Sequence, residues 1–133
     1  MSVDSIVPEL FGAWRFVTIQ FRQHEHDAWL DQIGPDPRGV IIYDASGVLS
    51  MHVFGGAHAP RYAGYFGTFR VRTADRAAGV VRGVVEHHIE VASEPLGEDE
   101  DRPFELSGDR LTIGDGRTWR RVLERASPNA RSG

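Results

Sequence analysis

His87 combines reactive chemistry with a strand position that points inward. It lies in Val85-Glu86-His87-His88-Ile89-Glu90-Val91, where Val85, His87, Ile89 and Val91 alternate with Glu86, His88, Glu90 and Ala92. A period of two marks a strand with one dry face, so the pattern predicts His87 on that face. A neutral imidazole in a partly dry cavity can take or give a proton near pH 7. Two phenols are candidates beside it. Tyr65 shares a strand face with Gly67, Phe69 and Val71, and Tyr43 ends the β-branched run Val40-Ile41-Ile42. A phenol can donate to a ligand carbonyl or stabilise an enolate. The plainer alternative is structural: a core histidine bonded to a tyrosine or a carbonyl, and phenols placed at a barrel mouth.

Other groups carry weaker chemistry. His24-Glu25-His26 puts two imidazoles on one face of an extended segment. A metal site would need further ligands from His52, His58, His87 or a glutamate, so a polar turn is the preferred reading and no metal is assigned. Arg70 and Arg72 are expected to face solvent and to pair across strands with Glu86 or Glu90. The acids from Glu98 to Asp101 read as a solvated loop. No phosphate-binding loop, nucleophile elbow or triad spacing is present, and no cofactor is implied.

Composition bounds the rest. The 133 residues fit one domain, expected over 1–125, with a disordered tail over 126–133. There is no cysteine, which excludes disulfides and thiolate chemistry. Every base is arginine, which excludes lysine nucleophiles. A net charge of −4 without a basic block argues against a nucleic-acid partner. There is no apolar run of membrane length, and the acid in Met-Ser-Val-Asp-Ser argues against a secretion signal. The expectation is a cytoplasmic protein with no membrane partner; a homodimer is compatible.

The elements that must position His87, Tyr65 and Tyr43 are short strands. Ser5 to Phe11 predicts a short helix that plugs one end of a barrel, with Pro8 in its first turn. Ala13 to Arg22 is a strand with Trp14, Phe16, Thr18 and Gln20 on one face and Arg15, Val17, Ile19 and Phe21 on the other. Ala28 to Ile33 is a weak strand. Gly34-Pro35-Asp36-Pro37-Arg38-Gly39 is a rigid turn before the strand Val40–Tyr43. Asp44-Ala45-Ser46-Gly47 then turns the chain into Val48–Phe54, whose Leu49, Met51 and Val53 share an apolar face. Gly55 to Ala63 is a loop of the kind that lines a site. Strands follow over 64–73, 80–92, 102–106, 109–113 and 117–123, with a turn over Ala74 to Gly79. Eight or nine short strands joined by short turns predict an all-β, up-and-down antiparallel barrel, because closure removes exposed edges. An open sandwich is the alternative.

Several of these stretches resemble the bacterial lipocalin-like domain family. They are Leu10-Phe11-Gly12-Ala13-Trp14-Arg15, Gly34 to Gly39 with Ile42-Tyr43, Asp44 to Ser50, Tyr65 to Phe69, Val85 to Glu90, and Arg102 to Leu106 through Leu111. The resemblance spans nearly the whole chain and implies a lipocalin-like barrel. Related barrels serve as ligand carriers and as isomerases or cyclases of natural-product pathways. Gly12-Ala13-Trp14 is also similar to the Gly-x-Trp element of true lipocalins, which implies Trp14 packed at the closed end under Arg121 or Arg120.

The resulting expectation is a barrel that binds a small hydrophobic, for example polyketide-like, molecule. Its predicted lining is Phe16, Tyr43, Met51, Tyr65, Phe69, Val85, His87 and Ile89. The second reading is a cofactor-free isomerase or cyclase with His87 and Tyr65 as its acid and base. The third is an interaction module with a filled interior. An interior of roughly 300 Å3 with His87 exposed inside would favour the first two.

Overall fold

The computed structural model describes residues 3–56, 61–93 and 100–126. The expected tail beyond Ala126 and part of the loop before Arg61 lie outside these residues. Nine strands follow in order: β1 (Gly12–Phe21), β2 (Leu30–Asp31), β3 (Arg38–Tyr43), β4 (Val48–Gly55), β5 (Arg61–Ala77), β6 (Val80–Ala92), β7 (Glu100–Ser107), β8 (Arg110–Ile113) and β9 (Trp119–Arg125). From β3 to β9 each strand pairs antiparallel with the next, and β1 pairs with both β3 and β9. Eight strands thus close an up-and-down barrel, as the strand pattern predicts, and β2 adds a two-residue rung to β1 at Gln20 and Phe21. The expected strand over 28–33 shrinks to that rung. No helix of the described residues is long and apolar enough to cross a membrane.

The alternating pattern becomes one core. Ile41 and Tyr43 of β3, Leu49, Met51 and Val53 of β4, Val81 and Val85 of β6, Phe104 and Leu106 of β7, and Leu111, Ile113 and Leu123 are all buried. The hairpin turn after β3 is closed by Asp44, whose carbonyl accepts from Gly47 N at 2.9 Å while its carboxylate accepts from Ser46 N at 2.9 Å. Between β5 and β6 the turn is shorter than the expected Ala74–Gly79. Only Ala78 (φ 54°) and Gly79 (φ 79°) connect the strands, and two consecutive positive φ angles match the twist of a two-residue hairpin. On the outer face Glu86 faces Arg70 at 3.4 Å and Arg72 at 4.0 Å, the cross-strand pairing expected of solvated strand charges.

Three irregularities revise the faces read from alternation. The β1–β9 register shifts between Phe16 and Thr18, so Val17 is an extra residue and Ile19, not Thr18, follows Phe16 into the core. The β5–β6 register shifts between Phe66 and Gly67, where Glu90 is the extra residue. Val91 therefore leaves the inner face and is 57% exposed. Gly67 permits that bulge, because a Cβ there would run into the carbonyl oxygen of His88. A third shift lies between Val71 and Thr73.

One end of the barrel is plugged. The helix α1 (Val3–Ile6) and the 3-10 turn Val7–Leu10, with Pro8 at its start, drive Ile6 and Leu10 under Trp14, and all three side chains are fully buried. Trp14 donates its indole N–H to the Leu10 carbonyl at 2.9 Å. The arginine over the indole is Arg125, 4.2 Å from the ring centre, and not Arg120 or Arg121. Register decides this: Trp14 pairs with Arg125, whereas Arg121 pairs with Ile19 and Arg120 with Gln20. Arg125 also donates to the carbonyls of Phe11 at 3.0 Å and Glu9 at 2.8 Å, and so ties the last strand to the plug. Arg120 lies 4.2 Å from the Trp29 ring instead, and Arg22 lies 4.0 Å from the same ring.

Removing the Arg125 guanidinium takes away a ring contact and leaves two carbonyls at the plug without their donor. Arg125→Ala should lower unfolding stability by about 2–3 kcal/mol, read as a lower urea midpoint with the folded-state spectrum kept. Arg125→Lys should recover less than half of that, since an ammonium cannot both stack and fork.

Candidate functional site

Three strands bring three polar side chains together in the barrel interior. Tyr43 is the last residue of β3, Tyr65 lies in the first half of β5, and His87 lies in the middle of β6. The Tyr43 hydroxyl lies 2.7 Å from His87 Nε2, and the Tyr65 hydroxyl lies 3.0 Å from His87 Nδ1. The imidazole is thus held at both nitrogens by phenols. Tyr43 and His87 have no exposed surface, and Tyr65 is 4% exposed. Phe69 packs edge-on against Tyr43 at 4.8 Å and fixes the ring from the side of the plug.

Burial sets the protonation of His87 and Tyr43. It pushes His87 well below the ordinary imidazole range, and the positive charges of Arg102 and Arg121 push in the same direction. Burial and then Tyr65 raise the Tyr43 phenol above the ordinary range, against the smaller opposing pull of Arg102 and Arg121. The imidazole is therefore neutral and carries one N–H, and Tyr43 keeps its proton. We assign the ring N–H to Nδ1: Tyr43 is sealed in the core and donates its hydroxyl proton to the bare Nε2. Nδ1–H then donates to the Tyr65 oxygen. Tyr65 borders a cavity, where its own O–H can meet a guest; in the opposite tautomer the sealed Tyr43 would need a further acceptor.

The cavity lies on the side of the trio away from Phe69 and measures about 140 Å3. Phe16, Ile19, Ile33, Met51 and Val53 supply apolar wall. Gln32, Tyr65 and Ser93 add polar groups, and Arg61, Arg102 and Arg121 add positive charge. Arg102 is 4% exposed and continues inward along β7 with Phe104 and Leu106. Arg121 pairs with Ile19 on one side and Ile113 on the other, both buried, and its guanidinium lies 5.4 Å from the Trp119 ring.

Of the residues expected to line a pocket, Phe16, Met51 and Tyr65 border this cavity. Tyr43 and His87 sit behind Tyr65, Phe69 lies against Tyr43 and Phe11, Val85 is buried in the core, and Ile89 is half-buried against it. The interior is neither filled nor as large as the roughly 300 Å3 of a drug-sized site, and His87 reaches the cavity only through Tyr65. Sequence reasoning missed Ile19, because of the bulge at Val17, and the two inner arginines. Arg102 carried a usable signal: it alternates in register with Phe104 and Leu106. His24-Glu25-His26 lies in an exposed turn, where Glu25 pairs with Arg117 at 2.6 Å. Among the described residues no three His, Asp or Glu side chains gather as a metal-holding group.

No family model, curated protein or solved structure matches this chain.

The neutral, buried His87 has a pH consequence. The unfolded chain takes up a proton at this imidazole near pH 6.5, while the folded chain takes it up only at much lower pH. Between those values the unfolded state binds more protons, so the stability present above pH 6.5 falls as pH drops through that window. Urea unfolding at pH 7.5 and pH 5 should show a loss approaching about 1.4 kcal/mol per pH unit from this one group. In His87→Gln that slope should disappear above pH 5, with overall stability lower by about 1–3 kcal/mol. An unchanged slope in the variant would refute the assignment.

Proposed function

We propose that the protein is a lipocalin-like barrel that binds a small molecule in the cavity bordered by Phe16, Met51 and Tyr65. The observation that carries this reading is the cavity itself: about 140 Å3, with a wall of Phe16, Ile19, Ile33, Met51 and Val53 faced by a similar number of polar and charged side chains. In a ligand site apolar wall gives affinity and polar groups give orientation. The volume sets the guest's size. An apolar protein cavity of about 150 Å3 accommodates a benzene-sized guest, so the ligand is a single ring or a short chain. A multi-ring polyketide skeleton exceeds it.

One observation favours a second reading, a cofactor-free proton-transfer enzyme such as an isomerase. The Tyr43–His87–Tyr65 chain runs from the core to the cavity wall. Tyr65 can donate its hydroxyl to a guest carbonyl and so stabilise an enolate while water takes the α-proton, and the His87 Nδ1–H holds the phenol in place. Tyr65 would be the catalytic residue and His87 a positioning residue that acts through it.

Toluene is the simplest probe of the binding reading. Titration should shift the methyl resonances of Ile19, Ile33 and Met51, and Ala63→Leu, which fills the cavity from its wall, should abolish the shifts. Toluene without effect on those methyls would reject binding at this site. For the enzyme reading, α-proton exchange of cyclohexanone in D2O should be accelerated by the wild type. Tyr65→Phe should lower that rate by about 100-fold or more, and no acceleration by the wild type would reject it.

A further inference from the structure

The outer face of the barrel carries a second set of linked side chains, separate from the interior histidine. Ser50 and His52 point outward along β4, alternating with the buried Leu49, Met51 and Val53. The Ser50 hydroxyl lies 2.9 Å from His52 Nε2, and the Tyr62 hydroxyl lies 2.6 Å from His52 Nδ1. Tyr62 does not stand opposite His52 in the ladder. It pairs with Phe54, and the residue opposite His52 is Gly64. A Cβ at Gly64 would run into the Tyr62 hydroxyl and would lie 3.1 Å from His52 Nδ1. The missing side chain is therefore what lets the phenol lie diagonally onto the imidazole. Glycine weakens a strand interior, and one stands at the position this contact requires. No linear motif announces the set, because Tyr62 arrives from the neighbouring strand.

Ser50, His52 and Tyr62 border an open groove of about 490 Å3. Val48, Phe66 and Val91 supply apolar wall there, and all three are exposed, so an apolar chain would find surface to cover. Among the described residues no Asp, Glu or Arg borders the groove, which suits an uncharged guest. Ser93 borders it too; its oxygen accepts from Gly64 N at 3.0 Å, and its hydroxyl proton can turn to a guest. A serine hydroxyl on one imidazole nitrogen and a group that fixes the ring on the other is the arrangement that activates serine. We propose that Ser50 is an acyl-accepting nucleophile, with His52 as its base, for uncharged esters of short apolar acids. His52 Nδ1–H donates to the Tyr62 oxygen and leaves Nε2 bare toward Ser50. Ser50 Oγ attacks the ester carbonyl carbon, and its proton passes to Nε2. The bond from that carbon to the alcohol oxygen breaks, and the alcohol leaves with the proton from Nε2. Water then attacks the acyl-serine carbonyl and gives one proton to Nε2. The bond to Ser50 Oγ breaks, Oγ takes that proton, and the free acid leaves. The acyl chain lies against Val48, Phe66 and Val91, and the Ser93 hydroxyl is the donor the groove offers to the carbonyl oxygen. Tyr62 is a positioning residue that acts through His52.

The test uses p-nitrophenyl butyrate with the full chain, and peptide mass spectrometry of the quenched reaction locates the acyl group. The wild type should release p-nitrophenolate with saturation and carry a butyryl group on Ser50. Ser50→Ala and His52→Gln should each lower kcat/KM by about 100-fold or more. Tyr62→Phe should lower kcat about tenfold, the worth of one hydrogen bond, with KM kept because the ring still lines the groove. Gly64→Ala should repeat that loss with Tyr62 present, since its Cβ displaces the end of the tyrosine side chain. Ser50, His52 and Tyr62 lie on the outer face, so their variants should keep the wild-type circular dichroism. Hydrolysis by the wild type no faster than by free imidazole at equal concentration would overturn the proposal. Full activity in Ser50→Ala would overturn it as well, and so would a butyryl group found on His52 or elsewhere in place of Ser50.

Discussion

A barrel interior has no bulk water, so an imidazole placed there must find partners for both nitrogens among its neighbours. His87 finds them in two phenols from two other strands. That requirement links β3, β5 and β6 through side chains and not only through their ladders. It also divides the barrel along its axis. Toward the plug the interior is dry and packed, with Ile6, Leu10 and Trp14 fully buried. Beyond the trio, packing gives way to the cavity and to arginine. Leaving any one phenol out would strand a buried polar atom, which is why the trio constrains register more tightly than apolar contacts of similar area.

The axial order accounts for the electrostatics as well. A protonated histidine beside Arg102 and Arg121 would put three positive charges into a low-dielectric space. Keeping the imidazole neutral avoids that, and burial alone already pushes it in that direction. His87 and Tyr43 therefore carry polarity without charge, and the positive charge beside them resides in Arg102 and Arg121. Tyr65 presents the trio's polarity at the cavity wall, beside the apolar side chains of Phe16 and Met51. The two functional readings use different parts of one arrangement.

Much of this architecture was legible in the chain, because period-two alternation is a local signal. The strand from Val80 to Ala92 has the boundaries its pattern implies, and Asp44 to Gly47 forms the turn its residues favour. His87, Tyr43 and Tyr65 were recognisable as inward-facing because no bulge falls between Val85 and His87, and the one opposite Phe66 and Gly67 puts its extra residue on β6, leaving the alternation of β5 from Tyr65 to Val71 unbroken. The misread faces have one cause. A bulge inserts a residue without leaving a mark on hydropathy, so every residue past it changes face. Ile19 after Val17 and Val91 after Glu90 are the two cases. Register explains the arginines likewise: whether Arg120, Arg121 or Arg125 meets Trp14 depends on how β9 aligns with β1, a long-range property. Arg102 was passed over for another reason, since arginine on a strand ordinarily faces solvent.

The plug has a kinetic meaning beyond its contribution to packing. Arg125 reaches back across 114 residues to the carbonyl of Phe11. Joining segments so far apart has an entropic cost of about 4 kcal/mol by the logarithmic law of loop closure. Hairpins such as β3–β4 and β5–β6 can form before that closure, whereas the β1–β9 seam cannot hold until both ends of the chain meet. The seam and the plug should therefore form and melt together. A seam that opens only when the plug releases is a poor entrance, so the way into the cavity lies at the end of the barrel away from the plug.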